Sequence, residues 1–200
     1  MTTTPRTAAV ERSTKETRIS CRLNLDGAGD VTIATGIGFL DHMLTALAFH
    51  AGWDLDLRCS GDLEVDDHHT AEDCALVLGE ALDTALGDRA GVVRFGSAFA
   101  PLDEALARTV VDLSGRPWPQ VDLGLRREML GSLSCENVGH VLQSLAMAAR
   151  CALHVDVLRG ENDHHRAEAA FKATALALRQ ATAQAPGGIR STKGTLGGGS

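Results

Sequence analysis

Aromatic side chains are scarce in this 200-residue chain: five phenylalanines, two tryptophans and no tyrosine. Leu, Val and Ala must therefore do most of the packing, and a hydrophobic content of 44% is enough to bury a core. Lysine is rarer still, confined to Lys15, Lys172 and Lys193, and the net charge is −7. That balance excludes the basic footprint of a nucleic-acid-binding domain and a polybasic membrane patch. It leaves room for a local basic cluster around an anionic substrate. No stretch approaches the run of about 18 apolar residues that spans a membrane, and the opening MTTTPRTAAVERSTKE lacks the apolar centre of a signal peptide. The five cysteines (Cys21, Cys59, Cys74, Cys135 and Cys151) stand far apart without a C-x-x-C pair, which suits reduced thiols in a cytoplasm. Also missing are G-x-S-x-G, H-E-x-x-H, a Walker loop and a complete G-x-G-x-x-G.

Against these absences, paired histidines stand out. Four of the eight histidines lie in two copies of one arrangement, His68-His69-x-x-Glu72 and His164-His165-x-x-Glu168. The surrounding sequence repeats as well. RISCRLNLDG and GDVTIATG alternate polar and apolar residues around Asp-Gly and predict a hairpin. GFLDHMLTALAFHAG has helical spacing and a glycine stop, WDLDLRCSG reads as a strand, and Asp67 to Leu86 as a helix. The order recurs in ALARTVVDLSG, PWPQVDLGL, SCENVGHVLQSLAMAARC, ALHVDVLRG and DHHRAEAAFKATALALRQATA. The reading is an α+β fold with an internally duplicated strand-strand-helix-strand-helix unit, helices covering one face of a sheet. Aligning the halves sets His42 in GFLDHML opposite His140 in NVGHVLQ.

Adjacent helical residues point about 100° apart, so His68 and His69 cannot face one small site together. Residues three or four apart share a face, so Glu72 can join either. Two such helices facing across a pseudo-twofold axis could share ligands between two metal ions. With His42 and His140 added, six imidazoles and two carboxylates would serve two sites of three His and one carboxylate each. Imidazole with carboxylate suits Zn, Mn, Fe, Co or Ni, and ligand type alone does not choose. Asp67 and Asp163, before the pairs, read either as helix caps or as partners that orient an imidazole. His154 reads as a structural residue of a strand. His50 lies eight residues after His42 and could reach the same cavity. Lys172, two turns after His165, joins Arg94, Arg116 and the Ser191-Thr192-Lys193 run as candidates for holding a phosphorylated substrate.

In order along the chain, RSTKETRI, LDGAGDVTIATGIGFLDHMLTALAFH, GDLEVDDHHTAEDCALVLGEAL, ALGDRAGVVRFG, PLDEALARTVVDLSGRPW, ENDHHRAEAAFKA and STKGTL resemble the imidazoleglycerol-phosphate dehydratases. The resemblance covers residues 11–196, with pseudo-repeats at about 11–92 and 93–186, a flexible stretch at 1–10 and a tail at 197–200. It implies a fold like the second domain of ribosomal protein S5 and a cytoplasmic enzyme of histidine biosynthesis. It implies assembly into a 24-subunit particle with two Mn(II) ions per active site at subunit interfaces. Carried over, one ion would be held by His42, His69, Glu72 and His164, the other by His68, His140, His165 and Glu168. Substrate contacts carried over are Glu16, His50, Arg94, Arg116, Lys172, Ser191, Thr192 and Lys193, the last group around the phosphate. The chain departs from the family in Arg190 for the usual Pro, and in Val141-Leu142 for a Phe-Phe after His140.

The implied reaction is loss of water from imidazole glycerol phosphate to give imidazole acetol phosphate. The proton to be removed is not beside a carbonyl, so the substrate imidazolate, held by both metals, would have to expel the hydroxyl first through a diazafulvene-like intermediate. Glu16 is the expected proton shuttle, because Glu72 and Glu168 are committed to metal. A dinuclear metallohydrolase acting on a small phosphate ester is the alternative, and a non-catalytic metal-binding protein a third reading.

Overall fold

The computed structural model describes residues 5–196. The first half contains β1 (Thr7–Ser13), β2 (Thr17–Asn24), β3 (Val31–Ala34), α1 (Gly38–Ala51), β4 (Asp54–Gly61) and α2 (His68–Leu86). The second contains β5 (Phe95–Leu102), β6 (Ala105–Asp112), β7 (Trp118–Asp122), a small hairpin of β8 (Met129–Leu130) and β9 (Leu133–Ser134), α3 (Cys135–Ala148), β10 (Ala152–Arg159) and α4 (Asp163–Thr182). Each half forms its own four-stranded sheet, in the orders β1-β2-β4-β3 and β5-β6-β10-β7. The two orders are the same, and in both the last strand runs parallel to its neighbour while the others are antiparallel. The duplication read from the sequence is therefore also a duplication of topology.

Strict alternation on the central strands decides which face is covered. Thr17, Ile19, Cys21 and Leu23 of β2 are buried, and so are Ala105, Ala107, Thr109 and Val111 of β6. Those faces receive the helices: α2 lies on β1, β2 and β4, and α4 on β5, β6 and β10. The helices then meet across the pseudo-dyad, α1 against α4 and α2 against α3. One continuous core results, with Leu40, Met43, Leu44 and Leu47 of α1, Leu78 and Leu82 of α2, and Val138, Leu142 and Leu145 of α3. Gly52, left-handed at φ 76, ends α1 and takes its N–H back to Ala48 and Phe49. Among the described residues, no helix is long and apolar enough to cross a membrane.

Three sequence expectations need correction. The segments RISCRLNLDG and GDVTIATG do not pair as a hairpin: both edges of β2 are taken, by β1 and by β4, and β3 lies on the far side of β4. The carboxylate of Asp54 diverts the chain there by accepting the N–H groups of Ala28, Gly29 and Asp30. Residues 7–10 belong to β1, so the folded unit begins before residue 11; Ala8 and Val10 pack on the core and hold this edge strand in place. Each half has its own sheet in place of one shared sheet, and β1 and β5 add an outer strand to each. The tail expected at 197–200 lies outside the described residues.

Candidate metal centre

The repeated histidine segments open α2 and α4, at the ends where the two helix pairs meet. Asn162 caps α4 by accepting the His164 N–H at 2.9 Å. Asp67 and Asp163 neither cap their helices through their side chains nor touch an imidazole. Asp67 accepts the Ser134 N–H at 2.6 Å, and Asp163 those of Arg126 and Arg127 at 2.8 and 2.7 Å. Both aspartates tie neighbouring loops to the helix starts.

Two three-residue groups bring their donor atoms within 4.8 Å of one another: His42, His164 and Glu168, and His68, Glu72 and His140. In the first, Glu168 Oε2 lies 3.0 Å from His42 Nε2 and 3.2 Å from His164 Nε2. In the second, Glu72 Oε1 lies 2.9 Å from His140 Nε2, and Oε2 is 3.9 Å from His68 Nε2. Each group takes one helix from each half, α1 with α4 and α3 with α2. Crossing between halves is thus real, but the carboxylates are distributed differently from the carry-over. Glu72 stays with His68 and Glu168 with His164, because a residue four positions on lies about 40° from its partner around the helix axis, and one three positions on about 60°.

His69 and His165 belong to neither group. The Nδ1 of His69 is 3.1 Å from Asp62 Oδ2, and that of His165 is 2.7 Å from Glu104 Oε2. Their Nε2 atoms face the hairpin tips, 3.8 Å from Glu16 Oε1 and 3.8 Å from Asp103 Oδ2. His68 has a comparable support in buried Asn137, whose Oδ1 lies 3.0 Å from its Nδ1. The sequence reading missed Asp62, Glu104 and Asn137; none lies beside a histidine in sequence. Repeat alignment offered one signal, since Glu104 immediately precedes β6 as Glu16 immediately precedes β2.

The electrostatics follow from these neighbours. Burial alone would raise the pKa of Glu168, but hydrogen bonds from Lys172 and His42 hold it at about 2. The Lys172 ammonium is 2.6 Å from Glu168 Oε1, which places it beside the His42 group. The His50 pKa is lowered, first by burial and then by the Lys172 charge, so His50 and Lys172 share that face of the α1–α4 pair. His69 is pushed up, chiefly by its hydrogen bond to Asp62.

Apart from Lys172, the phosphate candidates lie elsewhere. The Arg94 backbone N–H bonds to Ala181 O at 2.9 Å, so Arg94 sits at the C-terminal end of α4. That is roughly 26 Å along the helix from His164, at 1.5 Å per residue. Its guanidinium makes a two-pronged pair with Asp112 and also donates to the Arg190 carbonyl, which brings the Ser191–Lys193 run to the same end. Arg116 is exposed in the β6–β7 loop, where Ser114 Oγ shapes the turn. His154 is exposed on the outer face of β10, away from both groups.

Two converging imidazoles and a carboxylate are an apt donor set for a borderline divalent ion, and each group is one donor short of a four-residue protein set.

Comparison with known proteins identifies the family. The sequence model of the imidazoleglycerol-phosphate dehydratase family matches residues 35–178. A dehydratase of that name from Neurospora crassa is 54% identical over 220 residues, covering 96% of each chain. One from Saccharomyces cerevisiae is 51% identical, covering 96% of this chain and 99% of its own. The Phytophthora nicotianae enzyme is 60% identical over 96% of this chain, which spans only 42% of that longer protein. Among solved structures, the Staphylococcus aureus enzyme superposes with a TM-score of 0.81 at 36% identity, covering 89% of this chain and 99% of its own. The Pyrococcus furiosus enzyme gives 0.82 at 38%, covering 94% and 100%. With sequence and fold both matched, the chain belongs to the imidazoleglycerol-phosphate dehydratase family of hydro-lyases.

Proposed function

We propose that this chain removes water from imidazole glycerol phosphate to give imidazole acetol phosphate, at a centre holding two Mn(II) ions. The observation that carries the reading is the pair of His-His-Glu groups, each built from both halves and each lacking one ligand. His42, His164 and Glu168 would hold one ion, and His68, Glu72 and His140 the other. His69 and His165, outside both groups in their own chain, would complete them from neighbouring copies, His69 joining the first and His165 the second. Bound there, the ions would supply Lewis acidity to the two nitrogens of the substrate ring and favour loss of its N–H proton.

The protein side chains divide the remaining work. Water is lost from adjacent carbons: the carbon attached to the ring gives up its hydroxyl, its neighbour gives up a C–H proton, and the resulting enol becomes the ketone. Glu16 lies 3.8 Å from His69 Nε2, so a His69 lent to a neighbouring copy would carry Glu16 to the substrate ring, where it would take that proton. Lys172 and His50 line the same face. Arg94, Arg116, Ser191, Thr192 and Lys193 would bind the phosphate. A substrate of this size cannot bridge the roughly 26 Å separating Arg94 from His164 in one chain, so the phosphate residues must also come from another copy. The split site thus supports a multi-subunit particle, for which the family resemblance suggests 24 copies.

The test is ketone formation by metal-stripped protein with and without added Mn(II). Product only with metal, and no inorganic phosphate, is expected. Phosphate release would favour a phosphate-ester hydrolase instead. Glu16→Gln should bind Mn(II) normally and lose on the order of 10²- to 10⁴-fold in kcat; near-normal turnover would remove Glu16 from the proton-transfer role.

A further inference from the structure

The two histidines left out of the half-sites are each backed by a carboxylate, but the two supports are built differently. Glu104 lies in the two-residue turn between β5 and β6, which Asp103 enables by adopting φ 45, a left-handed conformation that Asp tolerates better than most residues. Its Oε1 accepts two backbone N–H groups, from Glu161 at 3.0 Å and Asn162 at 2.9 Å, just before α4. Its Oε2 is left for His165 Nδ1 at 2.7 Å. Both oxygens are therefore assigned, and the carboxylate cannot turn without breaking the bonds that fix the start of α4. Asp62, by contrast, places both oxygens near His69 Nδ1, at 3.3 and 3.1 Å, and makes no other side-chain bond among the described residues.

An ionised carboxylate only accepts hydrogen bonds, so its imidazole neighbour must carry a proton on Nδ1, and in the neutral ring, the form that binds metal, Nε2 is then bare. We propose that Glu104 is a positioning residue of the metal centre: it locks His165 in the tautomer that leaves Nε2 bare at the β5–β6 turn, where it would join the His68–Glu72–His140 group of a second copy. This rests on the metal reading above and adds a residue to it. It also separates the two halves in function. Glu16 and Glu104 occupy equivalent places before their strands, yet Glu16 faces Nε2 of its histidine and is free to move a proton, whereas Glu104 faces Nδ1 and is anchored.

The near-isosteric change Glu104→Gln tests this sharply. Its oxygen keeps the Glu161 and Asn162 bonds, and its amide nitrogen then faces Nδ1 as a donor. Nδ1 must become the acceptor, and the proton moves to Nε2, where it blocks coordination. Glu104→Ala loses the backbone bonds but leaves the ring free to choose its tautomer. Mn(II) titration of the metal-stripped assembly, followed by electron paramagnetic resonance, reads the outcome alongside thermal unfolding of the metal-free protein. The expected order of Mn(II) affinity is native, then Ala, then Gln, with Gln weaker than native by about 10- to 100-fold. The expected order of thermal stability is native, then Gln, then Ala. Asp62→Asn should change affinity only a few-fold, because its amide is free to turn its oxygen to Nδ1. If Gln binds Mn(II) as well as or better than Ala, Glu104 is structural only and the inference falls. A loss in Asp62→Asn equal to that in Glu104→Gln would assign the effect to charge and overturn it too. A Glu104→Gln chain that failed to fold would assign Glu104 to folding. Native protein that bound no Mn(II) would overturn the metal reading itself.

Discussion

Gly79 lies in the middle of α2, two turns after Glu72, where α2 crosses α3. A Cβ at this position would stand 2.6 Å from Ala148 Cβ, 2.7 Å from the Leu145 carbonyl oxygen and 2.9 Å from the Ala149 nitrogen. Ordinary contact begins at 3.4 Å, so the helices would have to part by about 0.8 Å, the difference between 3.4 and 2.6. Two of the three neighbours are backbone atoms that cannot swing aside. Gly79→Ala gains about 1 kcal/mol of helix propensity and should lose about 3 kcal/mol to overpacking, the upper part of the usual range, leaving a net loss of about 2 kcal/mol. The consequence reaches the site, because α2 carries His68 and Glu72 while α3 carries His140. A parting of that size would stretch the 2.9 Å contact between Glu72 and His140 beyond hydrogen-bond length. Urea unfolding of the metal-free protein should show the stability loss, and Mn(II) titration should show weakened binding. Gly139→Ala is the control: a Cβ there meets nothing within 4 Å, so only the propensity gain should appear. Equal or greater stability in Gly79→Ala, with unchanged Mn(II) binding, would refute the close-approach argument.

Three further outcomes follow from particular contacts. Asp54→Ala should cost about 1–3 kcal/mol at neutral pH, since three backbone N–H groups lose their acceptor. Those bonds, led by the one from Asp30, hold the folded pKa of Asp54 below the unfolded value of about 3.9. The stabilisation is therefore complete above that value and lost as pH falls through the depressed folded pKa, so urea unfolding of the two proteins should converge in acid; a constant difference would contradict the assignment. Limited iodoacetamide at about pH 8 should label Cys59 first. Its pKa is lowered by a hydrogen bond with Cys74, whereas burial pushes Cys21 and Cys151 up to about 12 and also raises Cys135; peptide mapping that found Cys21 or Cys151 modified first would count against this packing. Arg6→Ala should cost about 1–3 kcal/mol in denaturant, because Arg6 joins Asp26 to the Thr182 carbonyl at the end of α4; no measurable loss would show that this end of the helix needs no such cap.

What the sequence discloses and what it hides have the same physical origin. Periodicity is a local signal, so the four helices and the inner strands β2, β4, β6 and β10 are legible, each with a clean alternating or 3.6-residue pattern. β5 carries no such pattern because its covered face is made of small residues. A Cβ on Gly96 would lie 2.0 Å from the Ala177 carbonyl, so the strand runs too close to α4 for the large apolar side chains that mark a strand. β1 carries only a weak one, since its covered residues, Ala8 and Val10, are half-buried at a sheet edge. At the site, six imidazoles and two carboxylates could be named from spacing and duplication. Their supports could not, since Asn137 reaches His68 across 69 positions and Glu104 reaches His165 across 61.

The allocation of carboxylates was open for a different reason. Spacing permits Glu72 to follow either histidine of its pair; the smaller angular offset favours His68, and the packing of α2 on α3 settles the choice by bringing His140 to the same carboxylate. Once that choice is made, the adjacent histidine is turned about 100° away and cannot enter the same group. The same step on α4 excludes His165. A repeat of His-His-x-x-Glu on paired helices therefore leaves one histidine over in each half, and no repacking within one chain uses both. On the proposed reading, self-association supplies a place for each leftover imidazole. On the same reading it would also bring up the residues proposed to hold the phosphate, of which Arg94 and the Ser191–Lys193 run lie near the far end of α4.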